Sequence, residues 1–165
     1  MQTACFLGST HLDPGQLQTA ATRTRYILRD LLNSGVKYFG VGVTPGYDML
    51  AAEMLIRLKN SRSGKRILLI SVLPYPGWNE GWSSAEQAEA RRILMQSKKV
   101  VYLAQQPEEG LLAARDRHLL DGSGHCVCFC NQSTGHTADT LRYALARKVQ
   151  VHNASSWDLR WLQHA

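Results

Sequence analysis

The sequence predicts an α/β fold, doubly wound in the Rossmann manner, with a mainly parallel sheet of about six strands and helices on both faces. Three observations predict it. Short apolar runs alternate with stretches of helical spacing along the whole chain, the pattern of parallel strands joined by right-handed crossovers. Val36–Glu53 passes from an apolar run through a loop holding Gly40, Gly42 and Gly46 into helical spacing, which is strand, glycine-rich turn and helix. No internal repeat or low-complexity tract interrupts the alternation.

The elements follow in order. Thr3–Leu7 is a short apolar run, closed by a polar loop through Gly8, Ser9, Thr10 and His11 and then by Asp13-Pro14-Gly15. Gln16–Asn33 places Leu17, Ala20, Ala21, Ile27, Leu28, Leu31 and Leu32 at helical spacing and stops at Ser34-Gly35. Tyr38–Val43 is the second strand and Tyr47–Lys59 the second helix, with Leu50, Ala51, Met54, Leu55 and Leu58 inward. Arg66–Leu73 is a continuous apolar run, as a strand covered on both faces requires. Ser83–Gln96 opens on a capping box to Glu86 or Gln87. Lys99–Ala104 and His125–Cys130 are strands flanking a helix at Glu108–Leu120. A helix at Thr137–Arg147, a strand at Val149–His152 and a short helix at Trp157–Leu162 complete the chain.

At 165 residues this is one expected domain, 1–165. Its 44% hydrophobic and 19% charged content is that of an ordinary globular protein. No apolar run approaches a membrane span and no secretory signal pattern opens the chain, so the cytoplasm is the expected compartment and no membrane partner is expected. Net charge is +6 and favours anionic partners. The basic residues are nonetheless dispersed, among them Arg57, Lys59, Arg62, Lys65, Arg91, Arg92 and Arg147, in the manner of a solvated surface.

Cys126, Cys128 and Cys130 alternate, so a strand would put them on one face as small buried hydrophobes. The histidines show no H-x-x-x-H spacing and the cysteines no C-x-x-C pair, so no metal site is expected.

Doubly wound folds hold ligands outside the carboxyl ends of their strands. Three loops therefore draw the eye: Gly8–His11, Gly42–Asp48 and Asn131–Thr137, all rich in glycine or hydroxyls. A helix N-terminus there offers unpaired N–H groups to phosphate. The glycine spacing is not G-x-G-x-x-G, since Gly46 falls one residue late.

With these loops in order, Gly42-Val-Thr-Pro-Gly-Tyr-Asp-Met-Leu-Ala-Ala-Glu53 is similar to the pattern G-G-A-x-G-x-D-x-x-A-A-E. Arg115-Asp-Arg-His-Leu-Leu-Asp121 is similar to R-N-R-x-M-V-D, and Gly135-His-Thr137 with Thr140-Leu-Arg-Tyr-Ala144 to G-G-T-x-x-T-x-x-Y-A. Pro74 and Trp82 also sit where this group tends to have proline and tryptophan. From Thr3 to Asn153 the chain thus resembles the SLOG superfamily, in particular its small bacterial YpsA-like branch. That Rossmann-like group also includes the DNA-processing protein DprA and the Lonely Guy phosphoribohydrolases. The departures are concentrated at the presumed site. The first loop reads Leu7-Gly8-Ser9-Thr10 in place of T-G-H-R, with His11 one place further on, Asp116 replaces the Asn beside the arginine, Asn131 replaces an Asp, and His136 replaces the second glycine.

The resemblance implies a nucleotide-binding module, a sensor of a nucleotide or of an NAD- or ADP-ribose-type ligand. Its binding residues would be Gly8, Ser9, Thr10, Gly42, Gly46, Asp48, Glu53, Arg115, Gly135 and Thr137. Arg115 is the leading phosphate ligand, because a guanidinium fork grips oxyanions; its bland alternative is an ion pair with Asp116 or Asp121. Glu53 is either a site residue or a surface partner of Arg57. Trp78 and Trp82 are either a stacking lid or packing residues. A second reading is a Lonely Guy-like nucleoside monophosphate phosphoribohydrolase. Its carboxylate position is Thr140 here, which leaves Glu53 or Asp139 as substitutes. A third is single-stranded nucleic-acid binding, less favoured because no stripe interleaves cations with aromatics. A homo-oligomer is left open.

Overall fold

The computed structural model describes residues 2–61 and 66–163, so Arg62 and Lys65 lie outside the described residues. The strands are β1 (Thr3–Gly8), β2 (Tyr38–Val41), β3 (Leu68–Leu73), β4 (Ser97–Tyr102), β5 (His125–Phe129) and β6 (Gln150–Asn153). The helices are α1 (Pro14–Asn33), α2 (Tyr47–Lys59), α3 (Ser84–Gln96), α4 (Leu111–Asp121) and α5 (His136–Ala146), with a closing 3-10 turn at Leu159–Gln163. All strand pairs are parallel, in the order β4-β3-β2-β1-β5-β6. The doubly wound prediction therefore holds. The strand order reverses between β1 and β5, and the crevice for a ligand lies beyond their carboxyl ends.

Side-chain alternation separates two cores. Ala4, Phe6, Phe39, Leu69, Val127 and Phe129 face the layer of α1, α2 and α3. Cys5, Leu7, Cys126, Cys128 and Cys130 face α4 and α5, where Leu119, Leu120, Leu141 and Ala144 cover them. The alternating cysteines are thus buried on one face, as their spacing implies, and all four are free thiols. Burial pushes the Cys128 thiol well above its ordinary range, which leaves it an inert hydrophobe.

Several boundaries move. Asp13-Pro14-Gly15 is not loop: Asp13 caps α1 through Gln16 N–H, the Gln16 side chain returns the bond, and Pro14 opens the helix. Helix α3 runs straight into β4, which begins at Ser97 and not Lys99, because Ser97 Oγ donates to Ile93 O and lies 2.7 Å from Ser71 Oγ. Helix α4 starts after Gly110, whose φ of +79° turns the chain, and not at Glu108. Among the described residues no helix is long and apolar enough to cross a membrane.

Candidate functional site

Two adjoining cavities occupy the crevice. The outer one, about 1050 Å³, is walled by Pro74, Tyr75, Trp78 and Trp82 on one side and by Gly110–Ala113 at the start of α4 on the other. The inner one, about 100 Å³, is lined by Leu7, Gly8, Asp48, Asp116, Thr137 and Thr140. Thr10, Thr44, Leu112, Arg115 and His136 line both. The rings of Trp78 and Trp82 meet edge to face at 6.0 Å, and Trp78 Nε1 donates to Val43 O. Both tryptophans pack partly against the core while presenting surface to the cavity.

The inner end is built around Arg115, itself buried on α4. Its Nε and Nη2 both donate to Asp116 Oδ1, at 3.1 and 2.8 Å. Its Nη1 donates to Gly42 O at 3.2 Å and to Thr44 Oγ1 at 2.8 Å. The fork proposed for phosphate is therefore closed on the neighbouring carboxylate, and the ion-pair alternative describes its contacts. Asp116 Oδ2 receives His136 Nε2 at 2.7 Å, so one carboxylate joins α4 to the start of α5. Burial raises the Asp116 pKa, but the hydrogen bonds from His136 and Arg115 and the guanidinium charge outweigh it and hold the group below the usual range. The same hydrogen bond lifts His136 above the ordinary histidine value, toward the imidazolium.

Asp48, in the first turn of α2, is the unusual member. It is buried, and its Oδ1 is an orphan polar atom among the described residues. Burial pushes its pKa up to about 7, against the opposing pull of Arg115. Gly42 makes this packing feasible: a Cβ there would stand 3.0 Å from the Arg115 guanidinium carbon and 3.2 Å from Asp48 Oδ2. Next to it Val43 is held at φ +51°, a strained setting for a β-branched residue, and this bend delivers Thr44 to Arg115.

The glycines divide in role. Gly46 has φ +98°, and a Cβ would fall 2.7 Å from Thr10 Cα. Tyr47 N–H donates to Ser9 O at 3.0 Å. The first loop thus sits where an anion would approach the start of α2. Gly8 serves the same junction, with its missing Cβ 2.5 Å from Tyr47 Cβ. Gly135, at φ +101°, has open space around it and heads α5 without a side-chain cap. Ser9 Oγ is turned into its own loop, donating to His11 O and accepting from His11 N–H, while Thr10 reaches both cavities.

Of the residues expected at the site, Gly8, Thr10, Asp48, Arg115 and Thr137 line the inner cavity, and Gly42 and Gly135 flank it. Glu53 and Asp139 are not brought there. Glu53 Oε1 accepts from Arg92 Nη2 of α3 at 3.2 Å, a partner other than Arg57, and Asp139 is exposed and paired with Arg142 at 3.0 Å. Asp116 was legible as a departure from a family pattern and as a possible ion-pair partner of Arg115, His136 as a departure, and Thr44 only as a hydroxyl of the Gly42–Asp48 loop.

Comparison with known proteins adds the following. A family model described as the YspA SLOG family matches residues 16–163. No curated protein matches. Among solved structures, DNA processing protein A from Helicobacter pylori superposes with a TM-score of 0.62 at 16% identity, covering 90% of this chain and 63% of that one. That protein is described by its unique single-stranded DNA binding mode. DNA processing protein A from Streptococcus pneumoniae gives 0.65 at 14% identity, covering 90% and 48%. The chain therefore spans less than two thirds of either neighbour, and likeness at these identities is likeness of fold.

Proposed function

The chain belongs to the YspA SLOG family, and from that premise we propose that its strand-end pocket binds a nucleotide or nucleotide derivative, as a ligand-sensing module. One observation carries the reading: an aromatic vestibule leads directly into a buried polar end, through walls that the two share. Such a pocket suits a ligand with a flat apolar base at one end and hydrogen-bonding groups at the other. Trp78, Trp82 and Tyr75 offer stacking surface for the base. The uncapped start of α5, with Gly135, Thr137 and the proton-rich His136, offers N–H groups and positive charge to a phosphate. Nucleotides, NAD and ADP-ribose all fit this description.

Thermal-shift titration with AMP, NAD and ADP-ribose tests it. At least one should stabilise the protein. Leu112 is 57% exposed on the wall common to both cavities, so Leu112→Glu should leave the unliganded melting temperature nearly unchanged while abolishing the shift. Absence of any shift in the wild type rejects the reading.

Single-stranded nucleic acid is the second reading, supported by the fold shared with DNA processing protein A and by the net charge of +6. Glu86, Glu108 and Glu109 on the vestibule wall oppose a polyanion at this face. Salt-dependent retardation of a labelled oligonucleotide would favour it. For N-glycosidic hydrolysis, the carboxylates at the inner cavity are Asp48 and Asp116, with Glu53 and Asp139 engaged elsewhere.

A further inference from the structure

We infer that the outer cavity is the seat of a cationic base, so that the ligand is a nucleotide whose ring carries a formal positive charge. This rests on the nucleotide reading above and names the ligand class of that same site.

The vestibule runs against the composition of the chain. Lysine and arginine outnumber aspartate and glutamate 19 to 13 overall. Yet the vestibule wall holds three glutamates, Glu86, Glu108 and Glu109, and among the described residues no lysine and no arginine but Arg115. That arginine stands at the inner end, closed on Asp116. The signs are sorted along the crevice. Arg115 and His136 belong to both cavities, whereas none of the three glutamates lines the inner one. A phosphate at the start of α5 therefore sits at the cationic end, and the base in the outer cavity sits among carboxylates.

These carboxylates come from both walls. Glu86 lies in the first turn of α3, four residues after Trp82, where Ser83 N–H and Oγ both donate to its Oε1. Glu108 and Glu109 lead into Gly110 and α4 on the opposite wall. No ion pair engages Glu108 or Glu109 among the described residues, so no neighbour cancels their charge. Behind Glu86, half-buried Glu89 has its pKa raised by burial and by the charges of Glu53 and Glu86, against the pull of Arg92, so this side of α3 carries unrelieved negative charge.

A neutral flat base gains stacking from Tyr75, Trp78 and Trp82. A cationic ring gains more, because indole faces attract positive charge and the surrounding carboxylates add to the same field. Two sources carry such a ring: N-alkylpyridinium nucleotides such as NAD, and purine nucleotides methylated on a ring nitrogen. Their shared chemistry is a delocalised cation on a flat ring at one end and phosphate at the other.

The test is calorimetric titration of the intact protein at neutral pH with two pairs that differ in ring charge, NAD against NADH and 1-methyl-AMP against AMP, and with 1-methylnicotinamide alone. In at least one pair the cationic member should bind about tenfold more tightly, and the pair that shows it identifies the source. The double variant Glu108→Gln/Glu109→Gln, at two exposed loop positions, should narrow that ratio about threefold or more at an unchanged unliganded melting temperature. Equal affinity within both pairs, or a preference for the neutral members, overturns the inference and leaves the nucleotide reading standing. A preference that the double variant leaves intact also overturns it. Binding of 1-methylnicotinamide with no nucleotide bound supports the cation seat and overturns the nucleotide reading. If none of the five binds, both are overturned.

Discussion

The starts of α2 and α5 look alike in one dimension and differ in three. Each helix is headed by a glycine with φ near +100°, Gly46 at +98° and Gly135 at +101°, and neither has a side-chain cap. At α2 the backbone of Ser9 and Thr10 lies against the glycine and takes the first N–H group. At α5 nothing among the described residues lies within 4 Å of where a Cβ would be. A glycine-rich turn before a helix is thus two different objects. One is a close-packed joint that fixes the first loop, and the other is an open end able to meet a ligand. Arg115 and Asp116 tie the two together, reaching Gly42 and Thr44 on the α2 side and His136 on the α5 side.

Cutting that tie should have the largest effect. Arg115→Met removes the cation paired with the buried Asp116 carboxylate, and breaking a buried pair in this way costs about 3–5 kcal/mol. Urea unfolding of Arg115→Met, Asp116→Asn and the double variant measures it. The double variant should recover part of the loss, since the uncompensated charge is then gone. Losses that simply add would mean that the ends of α2 and α5 are held by something other than this pair.

The two glycines themselves give the next contrast. Gly46→Ala adds a Cβ against backbone that cannot yield, on top of an unfavourable φ, and should cost about 3 kcal/mol or more. Gly135→Ala meets only the unfavourable φ, for about 1–2 kcal/mol. Chemical denaturation of both decides whether the joint and the open end are as different as their contacts say. Equal losses would remove the distinction.

How much of this was readable beforehand follows from what kind of signal each part leaves. Strands and helices leave periodicity, so the alternating cysteines pointed to the right face, whereas α2 is buried over more of its surface than its stripe implied, with Met49, Ala52 and Ile56 buried and Leu50 and Leu58 only partly so. Junctions depend on single side chains: Ser97 bonding back to Ile93 O, or Asp13 capping Gln16, shifts an end without altering any pattern. Helix phase accounts for Glu53. It follows Asp48 by five residues, about 140° around the helix, so with Asp48 on the cavity Glu53 turns toward Arg92 of α3. Asp116 and His136 are harder still. Each looks like the loss of a family residue, yet they satisfy each other across 20 positions, and one sequence does not reveal a compensating pair. The orphan oxygen of Asp48 is a purely three-dimensional fact.

Asp48 and His136, at the two helix starts, give stability a pH response of the same sign, and Asp116 on α4 gives the opposite one. Folded Asp48 has a pKa of about 7, against about 3.9 when exposed in the unfolded chain. Between those values the folded state holds more protons than the unfolded one, so this residue makes stability fall as pH rises from about 4 to about 7. His136, with its pKa raised by Asp116, acts in the same direction: its contribution is present below the ordinary histidine pKa and is lost as pH rises through the folded value. Asp116 acts oppositely, since its depressed pKa confines its loss to pH below about 4. Asp48→Asn removes only the first of these. The variant should melt higher than wild type at pH 8, and the gap should close as pH falls toward 4, which calorimetric melts across that range will measure. The gap closes because protonated Asp48 already lacks the charge that burial penalises, so at acid pH the two side chains pose the same problem to the fold. A gap that stays constant would mean that Asp48 keeps one protonation state throughout. Its missing donor would then have to be explained by packing alone.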